Sequence, residues 1–325
     1  MKQILFCMLC MVALSLQGQT KPNKLRFNTK GEFKVVQFTD VHYVPGKPEE
    51  SKKALECIDQ VLDAEQPDLV VLTGDIIYGS PAEEAMRTVL QRVSDHQVPF
   101  VATLGNHDDE QEMKRADLYR LISSWPCNLQ LAEQTDFVVP VAASDGSKTT
   151  ALLYIIDSHS YSTLPDAKGY AWIDGEQINW YRTQSRQYAE QNGGTPLPAL
   201  AFFHIPLPEY GQAARSEGCI LRGNRMEPVC SPVLNSGLFT AIKEQGDVMG
   251  CFVGHDHDND YAAMWHKVLL AYGRYTGGNT VYNHLPNGAR VIVLKEGQRA
   301  FNTWIRLRTG EIEQPTTYPD SFVKQ

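Results

Sequence analysis

Gly105-Asn106-His107-Asp108 sets an amide oxygen, an imidazole that titrates near neutral pH and a carboxylate side by side. Asn106 offers a neutral ligand oxygen, His107 can give or take a proton, and Asp108 can hold that imidazole in one orientation. Four other segments carry similar groups: Asp40-Val41-His42, Gly74-Asp75, His204, and Gly254-His255-Asp256-His257. Each has a plain alternative when taken alone. Gly and Asn are ordinary turn residues, Asp40-x-His42 suits an edge strand, and a lone His204 suits a satisfied core histidine. The ladder Asp256, Asp258, Asp260 suggests a calcium loop, but Tyr261 stands where that loop needs Gly and Lys267 where it needs Glu. Taken together, the five segments hold five of the nine histidines, which a solvated surface does not explain.

Something must bring them together, and the intervening sequence does so. Each cluster directly follows a short apolar run that reads as a buried strand: Phe33–Thr39, Leu69–Thr73, Pro99–Leu104, Leu200–Phe203 and Val248–Val253. Helical patterns alternate with them. Ala54, Leu55, Ile58, Val61 and Leu62 recur at helical spacing, and Ser80-Pro81 with Glu83 and Glu84 reads as a helix start running towards Asp95. Further helices are expected over 110–124, from a capping box at Asp174 and Gln177 to Gly193-Gly194, and over 236–245, with a strand at 149–157. This rhythm predicts an α/β fold around a largely parallel core, which builds its site at the carboxyl ends of strands. From Tyr261 onward, short β-like runs split by Gly-Gly, Asn-Gly and Glu-Gly predict antiparallel strands closing a second sheet.

The chain has 325 residues, 42% of them hydrophobic, enough for one domain of two sheets. A formal net charge of −8 without a Lys/Arg block gives no signal for nucleic acid. Met1-Lys2 followed by the apolar run Ile4–Leu14 reads as a secretory signal over 1–19, and no later stretch is apolar for long enough to span a membrane. A linker over 20–30, a domain over 31–312 and a tail over 313–325 complete the expected organisation, with export to periplasm or extracellular space. Cleavage would leave Cys57, Cys127, Cys219, Cys230 and Cys251, an odd number in which Cys219 and Cys230 could close a small loop or remain free. Nothing in the sequence indicates an oligomeric state.

The ordered set Asp-x-His, Gly-Asp, Gly-Asn-His-Asp, His and Gly-His-x-His resembles that of the calcineurin-like metallophosphoesterases. Three stretches, 203–210, 235–239 and 254–260, resemble more closely the small purple-acid-phosphatase-like branch; the likeness covers roughly residues 31–310. The resemblance implies a four-layer α/β/β/α sandwich, two mixed sheets flanked by helices. It implies two metal ions, one held by Asp40, His42 and His257, the other by Asn106, His204 and His255, with Asp75 between them. Such ligands, without a thiolate, suit Fe, Zn or Mn, divalent or mixed-valence. The implied reaction is hydrolysis of a small phosphate ester, a monoester first, through in-line attack by a hydroxide held between the ions. His107 would protonate the leaving group and Asp108 would orient His107. A phosphodiesterase or nucleotidase, or a non-catalytic metal-bearing binding protein, are the alternatives. Gly74-Asp75-Ile76-Ile77-Tyr78 also matches the purple acid phosphatases, in which the Tyr binds ferric iron; here Tyr78 and His42 contend for one position, and His42 is favoured. Arg274, His159 and Tyr161 are candidates for touching substrate, with a structural surface role the favoured alternative for Arg274. Arg215, Arg222 and Arg225 are candidates for a lid over 211–232, with a solvated loop the favoured alternative. His96, His266 and His284 are read as structural.

Overall fold

The computed structural model describes residues 25–132 and 134–323; the expected leader over 1–19 lies outside them. In chain order the elements are β1 (Glu32–Phe38), α1 (Pro48–Glu65), β2 (Leu69–Thr73), α2 (Ala82–Asp95), β3 (Phe100–Thr103), α3 (Arg115–Ser123), β4 (Phe137–Ala142), β5 (Thr149–Ile155), α4 (Gly175–Gln191) and β6 (Ala199–Phe202). They continue as α5 (Pro208–Arg215), β7 (Leu221–Arg222), α6 (Leu238–Gln245), β8 (Val248–Val253), β9 (Ala262–Trp265), β10 (Val268–Tyr272), β11 (Gly288–Lys295), β12 (Phe301–Leu307) and β13 (Ile312–Tyr318).

Alternation along the buried strands gives each sheet two apolar faces, so each must be covered twice. Val36 and Val70 point to one side and pack with Val61 of α1, Val89 of α2 and Leu118 of α3. Their neighbours Val35, Leu69 and Val71 point the other way and meet Leu153, Leu200 and Phe252 from the second sheet. That sheet's outer face packs Ala201 and Val253 against Ile178 and Tyr181 of α4 and Leu238 and Ile242 of α6. Helix, sheet, sheet and helix therefore stack as four layers. The first sheet has the order β13-β12-β11-β1-β2-β3 and the second β4-β5-β6-β8-β10-β9-β7. In the first, β1, β2 and β3 run parallel; in the second, β5, β6, β8 and β10 do. The capping box forms: the Asp174 side chain accepts from the backbone of Glu176 and Gln177, and Gln177 reaches back to the Asp174 N–H.

Several boundaries differ from the sequence reading. The antiparallel strands after Tyr261 are shared, β9 and β10 extending the second sheet while β11 to β13 complete the first. The segment from 313, expected as a tail, supplies most of β13, which pairs with β12. The expected linker reaches into the core, since Phe27 is buried and Arg26 bridges to Ala142. Helix α2 starts at Ala82 and is capped not by Ser80 but by Glu112, whose carboxylate accepts from both the Ala82 N–H and the Ser80 hydroxyl. Helix α3 starts at Arg115 and not at 110, because the intervening residues are taken up by the turn that carries His107. Cys219 and Cys230 are free thiols: Cys219 Sγ faces the Met264 carbonyl, while Cys230 is anchored through its N–H to Asp256.

Candidate metal centre

The turns after β1, β2 and β3 carry Asp40, His42, Asp75 and Asn106, and those after β6 and β8 carry His204, His255 and His257. All seven are buried. Such close approach demands residues without side chains. A Cβ on Gly105 would lie 2.1 Å from Asp75 Oδ1, and one on Gly254 would lie 1.8 Å from Thr39 Oγ1. Asp40, His42, Asp75 and His255 all have positive φ, at 52°, 46°, 48° and 81°. Non-glycine residues in that region typically carry strain of about 1–3 kcal/mol each, kept where surroundings over-determine it, as at functional sites.

Two groups of ligand atoms result, Asp40, His42, Asp75 and His257 in one and Asp75, His204 and His255 in the other, with each group's atoms within 4.8 Å of one another. Asp75 belongs to both. Its Oδ2 lies 3.1 Å from His204 Nε2 and 3.5 Å from His42 Nε2. Ring nitrogens also converge, His42 Nε2 on His257 Nε2 at 3.1 Å and His255 Nδ1 on His204 Nε2 at 3.3 Å. Asn106 turns its Nδ2 to the Tyr161 hydroxyl, and its buried Oδ1 has no hydrogen-bond partner; Asp75 Oδ2 faces the ring nitrogens of His204 and His42. Buried polar atoms are almost always satisfied, so lone pairs converging without donors are what a cation site requires. The residues fit two ions.

Tautomers are set from outside the centre. His204 Nδ1 lies 2.7 Å from the Thr73 carbonyl and His257 Nδ1 2.9 Å from the Tyr282 carbonyl. A carbonyl only accepts, so each Nδ1 carries hydrogen and each Nε2 is turned inward. Asp40 is held by the Thr39 hydroxyl and by the His255 N–H. Burial holds His42 and His255 well below the usual imidazole range, in the neutral form that ligates. Burial opposes charge on His204 as well, yet the adjacent Asp75 carboxylate pushes it up to about 9. A proton and a metal ion compete for that nitrogen.

A family model described as "Calcineurin-like phosphoesterase" matches residues 33–259. The chain belongs to this family. Among curated relatives of this calcineurin-like phosphoesterase, "Probable inactive purple acid phosphatase 14" of Arabidopsis thaliana is 32% identical, over 78% of this chain and 73% of the relative. "Phosphatase DCR2" of Saccharomyces cerevisiae is also 32% identical, over 89% of this chain, which spans 56% of that protein's length. The crystal structure of a dimetal phosphatase from Danio rerio superposes with a TM-score of 0.62 at 13% identity, covering 88% of this chain and 98% of that one, a likeness of fold.

Other residues singled out in the sequence are placed differently. Asp108 does not touch the His107 ring: its Oδ1 accepts from the N–H groups of Ile76 and Ile77 at 2.7 and 3.0 Å, and its Oδ2 from Gly105. It braces the Asp75 turn against the Asn106 turn, while burial and the nearby Asp75 raise its carboxyl to about 6. His107 Nδ1 faces Glu110 instead. Arg274 neither lies at the surface nor reaches the centre; it is fully buried and bonded to Asp260, Glu313 and the Pro286 carbonyl. His159 is drawn to Gln177 on α4. Tyr78 packs edge-on against the rings of His42 and His107, at centroid distances of 5.4 and 4.8 Å. Arg222 and Arg225 bond backbone carbonyls of Ser321 and Ala214, and Arg215 lies back over Gly211. The 219–232 strap is instead tied down by Asn259, which accepts from Met226 and Glu227, and by Glu227, which accepts from Asp258.

Sequence reasoning missed Arg115, which bonds Asp157 and the carbonyls of Leu104 and Gly105, so that it holds the Asn106 turn from behind. It also missed Tyr282, whose ring stacks on His257 at 4.5 Å and whose hydroxyl donates to Glu227. Neither follows a strand or belongs to a motif, so no local signal marks them.

Proposed function

We propose that this calcineurin-like phosphoesterase hydrolyses small phosphate monoesters at a dinuclear centre. The observation that carries the reading is Asp75 Oδ2, a buried oxygen that faces imidazoles of both ligand groups, beside an Asn106 Oδ1 that is buried without a hydrogen-bond partner. Asp40, His42 and His257 would hold one ion, Asn106, His204 and His255 the other, and Asp75 would serve both. The donor set of carboxylates, imidazoles and one amide suits Fe, Zn or Mn. When bound, two such ions neutralise a phosphoryl group and acidify water.

The chain's own residues do the rest. Asp75 and Asp108 lock the turns that carry the ligands, and the His107 N–H is held by Asp75 Oδ1 at 2.9 Å. His107, partly exposed at the rim, gives its proton to the departing ester oxygen. His42 takes the ligand position for which Tyr78 also contends. Export rests on the Met1–Leu14 pattern, and no helix among the described residues is long and apolar enough to cross a membrane.

The test is metal analysis of purified protein beside turnover of a chromogenic monoester and the matching diester. About two ions per chain, monoester preference, and loss of turnover in Asp75→Asn and His107→Ala with ions kept in the latter are expected. Diester preference would move the assignment to a phosphodiesterase. Two ions without turnover of either ester would favour a binding role, in keeping with the word "inactive" in the Arabidopsis relative's name. No bound ion after reconstitution would overturn the reading.

A further inference from the structure

We propose that Glu110 is the positioning residue for His107, fixing which ring nitrogen faces the leaving group and tying it to Asn106 through Tyr161. The proposal rests on the hydrolase reading above only for its kinetic consequences.

The residues from His107 to Glu110 form a turn in which the Glu110 N–H approaches the His107 carbonyl at 3.3 Å. This folds the Glu110 carboxylate back onto the ring three residues earlier. Glu110 Oε2 lies 2.6 Å from His107 Nδ1, the length of a charge-assisted bond. A carboxylate accepts, so Nδ1 carries hydrogen and Nε2 is left as the nitrogen that exchanges a proton with substrate. The other oxygen is also used: Tyr161 donates its hydroxyl to Glu110 Oε1 at 2.7 Å and receives the Asn106 Nδ2–H at 3.1 Å.

Tyr161 comes from a separate segment, and that segment is built. Ser162 and Gly169 are joined by a backbone hydrogen bond, as are Ala171 and Ser160, so that Tyr161 and Tyr170 stand stacked on a small hairpin. The Tyr170 ring meets His255 edge-on at 4.3 Å. Glu110 thus closes a ring of contacts from His107 through Tyr161 to Asn106. The consequence is that the Asn106 Oδ1 and the His107 Nε2 keep a fixed separation. In the step itself His107 starts as the imidazolium, with hydrogen on both ring nitrogens. The proton moves from Nε2 to the ester oxygen as the P–O bond to that oxygen breaks, leaving the neutral ring with its hydrogen on Nδ1. The new P–O bond forms to an oxygen from water, and the imidazole recovers a proton from solvent.

The experiment uses the zinc-loaded full chain and the variants Glu110→Ala, Glu110→Gln and Tyr161→Phe. A positioned proton donor matters for a poor leaving group and little for a good one. Expected in Glu110→Ala is a fall in kcat of about 10- to 100-fold on an alkyl phosphate, against less than about threefold on 2,4-dinitrophenyl phosphate. KM and the number of bound zinc ions stay unchanged. Glu110→Gln, which keeps an acceptor but no charge, and Tyr161→Phe fall in between. Equal losses on both esters, loss of zinc, or no change would each overturn the proposal. NMR of the His107 ring nitrogens, read at a pH where the ring is neutral, gives a readout that needs no turnover: hydrogen on Nδ1 in the wild type, and on Nε2 in Glu110→Ala. If the wild type hydrolyses neither ester, the hydrolase reading fails and the tautomer alone decides; the same tautomer in both proteins overturns the proposal.

Discussion

The His107 N–H donates to Asp75 Oδ1 at 2.9 Å, so the carboxylate that faces both ligand groups also fixes the turn carrying His107, the proposed proton donor. Substituting one atom there should break two things at once. Asp75→Asn is expected to lower turnover by at least about 1,000-fold, in the range assigned to removing charge stabilisation together with acid catalysis. It is also expected to reduce bound metal to less than one ion per chain. Metal analysis and single-turnover kinetics on the same preparation check this; full retention of both ions would show that the carboxylate charge is dispensable.

Gly105 makes a different demand. A methyl group there would stand 2.1 Å from Asp75 Oδ1, against a side chain that has no room to give. Gly105→Ala is expected to cost about 1–3 kcal/mol of stability, the usual range for forced overpacking, and to lower metal occupancy more than the stability loss explains. Urea unfolding with parallel metal analysis reads both.

Asp157 and Arg115 form a buried pair behind the Asn106 turn, with Arg115 Nε 2.9 Å from Asp157 Oδ2. Burial alone would raise the Asp157 carboxyl, but the guanidinium holds it below the ordinary value of 3.8. A depressed folded-state value means stability present above the unfolded value and lost as pH falls through the folded one. Asp157→Asn should therefore cost about 3–5 kcal/mol at pH 7, as expected when a buried charge loses its partner. The gap between variant and wild type should narrow only below the ordinary 3.8. Denaturation midpoints across that range test the sign: a gap that instead narrows on raising the pH would contradict it.

Removing metal should lower the melting temperature. An ion present at a hundredfold its Kd adds about 2.7 kcal/mol to the folded state, or several degrees for a chain of this size. Exhaustive chelation should lower Tm, and Zn or Mn should restore it in proportion to occupancy, as followed by calorimetry. An unchanged Tm would mean that the ligand groups stand preformed without binding.

The strand-end clusters were legible because each apolar run stops abruptly at residues that no core accommodates, and Asp40, Asp75, Asn106, His204 and His255 follow the five runs in turn. Parallel strands then guarantee that these ends point one way. Adjacency misled where geometry depends on the turn. Asp108 follows His107 directly, yet its side chain points to the Ile76 and Ile77 amides, while Glu110 returns to the imidazole. Arg274 looked available for substrate because its partners Asp260 and Glu313 are 14 and 39 residues away in the chain. The distribution of the late strands between the sheets was also out of reach, since β10 and β11 follow each other in sequence but pair in different sheets.

The split of the centre between the sheets has a consequence for synthesis. Asp40, His42, Asp75 and Asn106 leave the ribosome early, His204 later, and His255 and His257 last of all, from the end of β8. Each ligand group draws from both sheets, and each lacks an imidazole until residues 255 to 257 have been made and docked. A nascent chain stalled before that point holds carboxylates and imidazoles but no complete coordination sphere. Firm metal retention would therefore report that the two sheets have docked, and metal acquisition would wait until at least residue 257 has been made, before the strands that complete the first sheet.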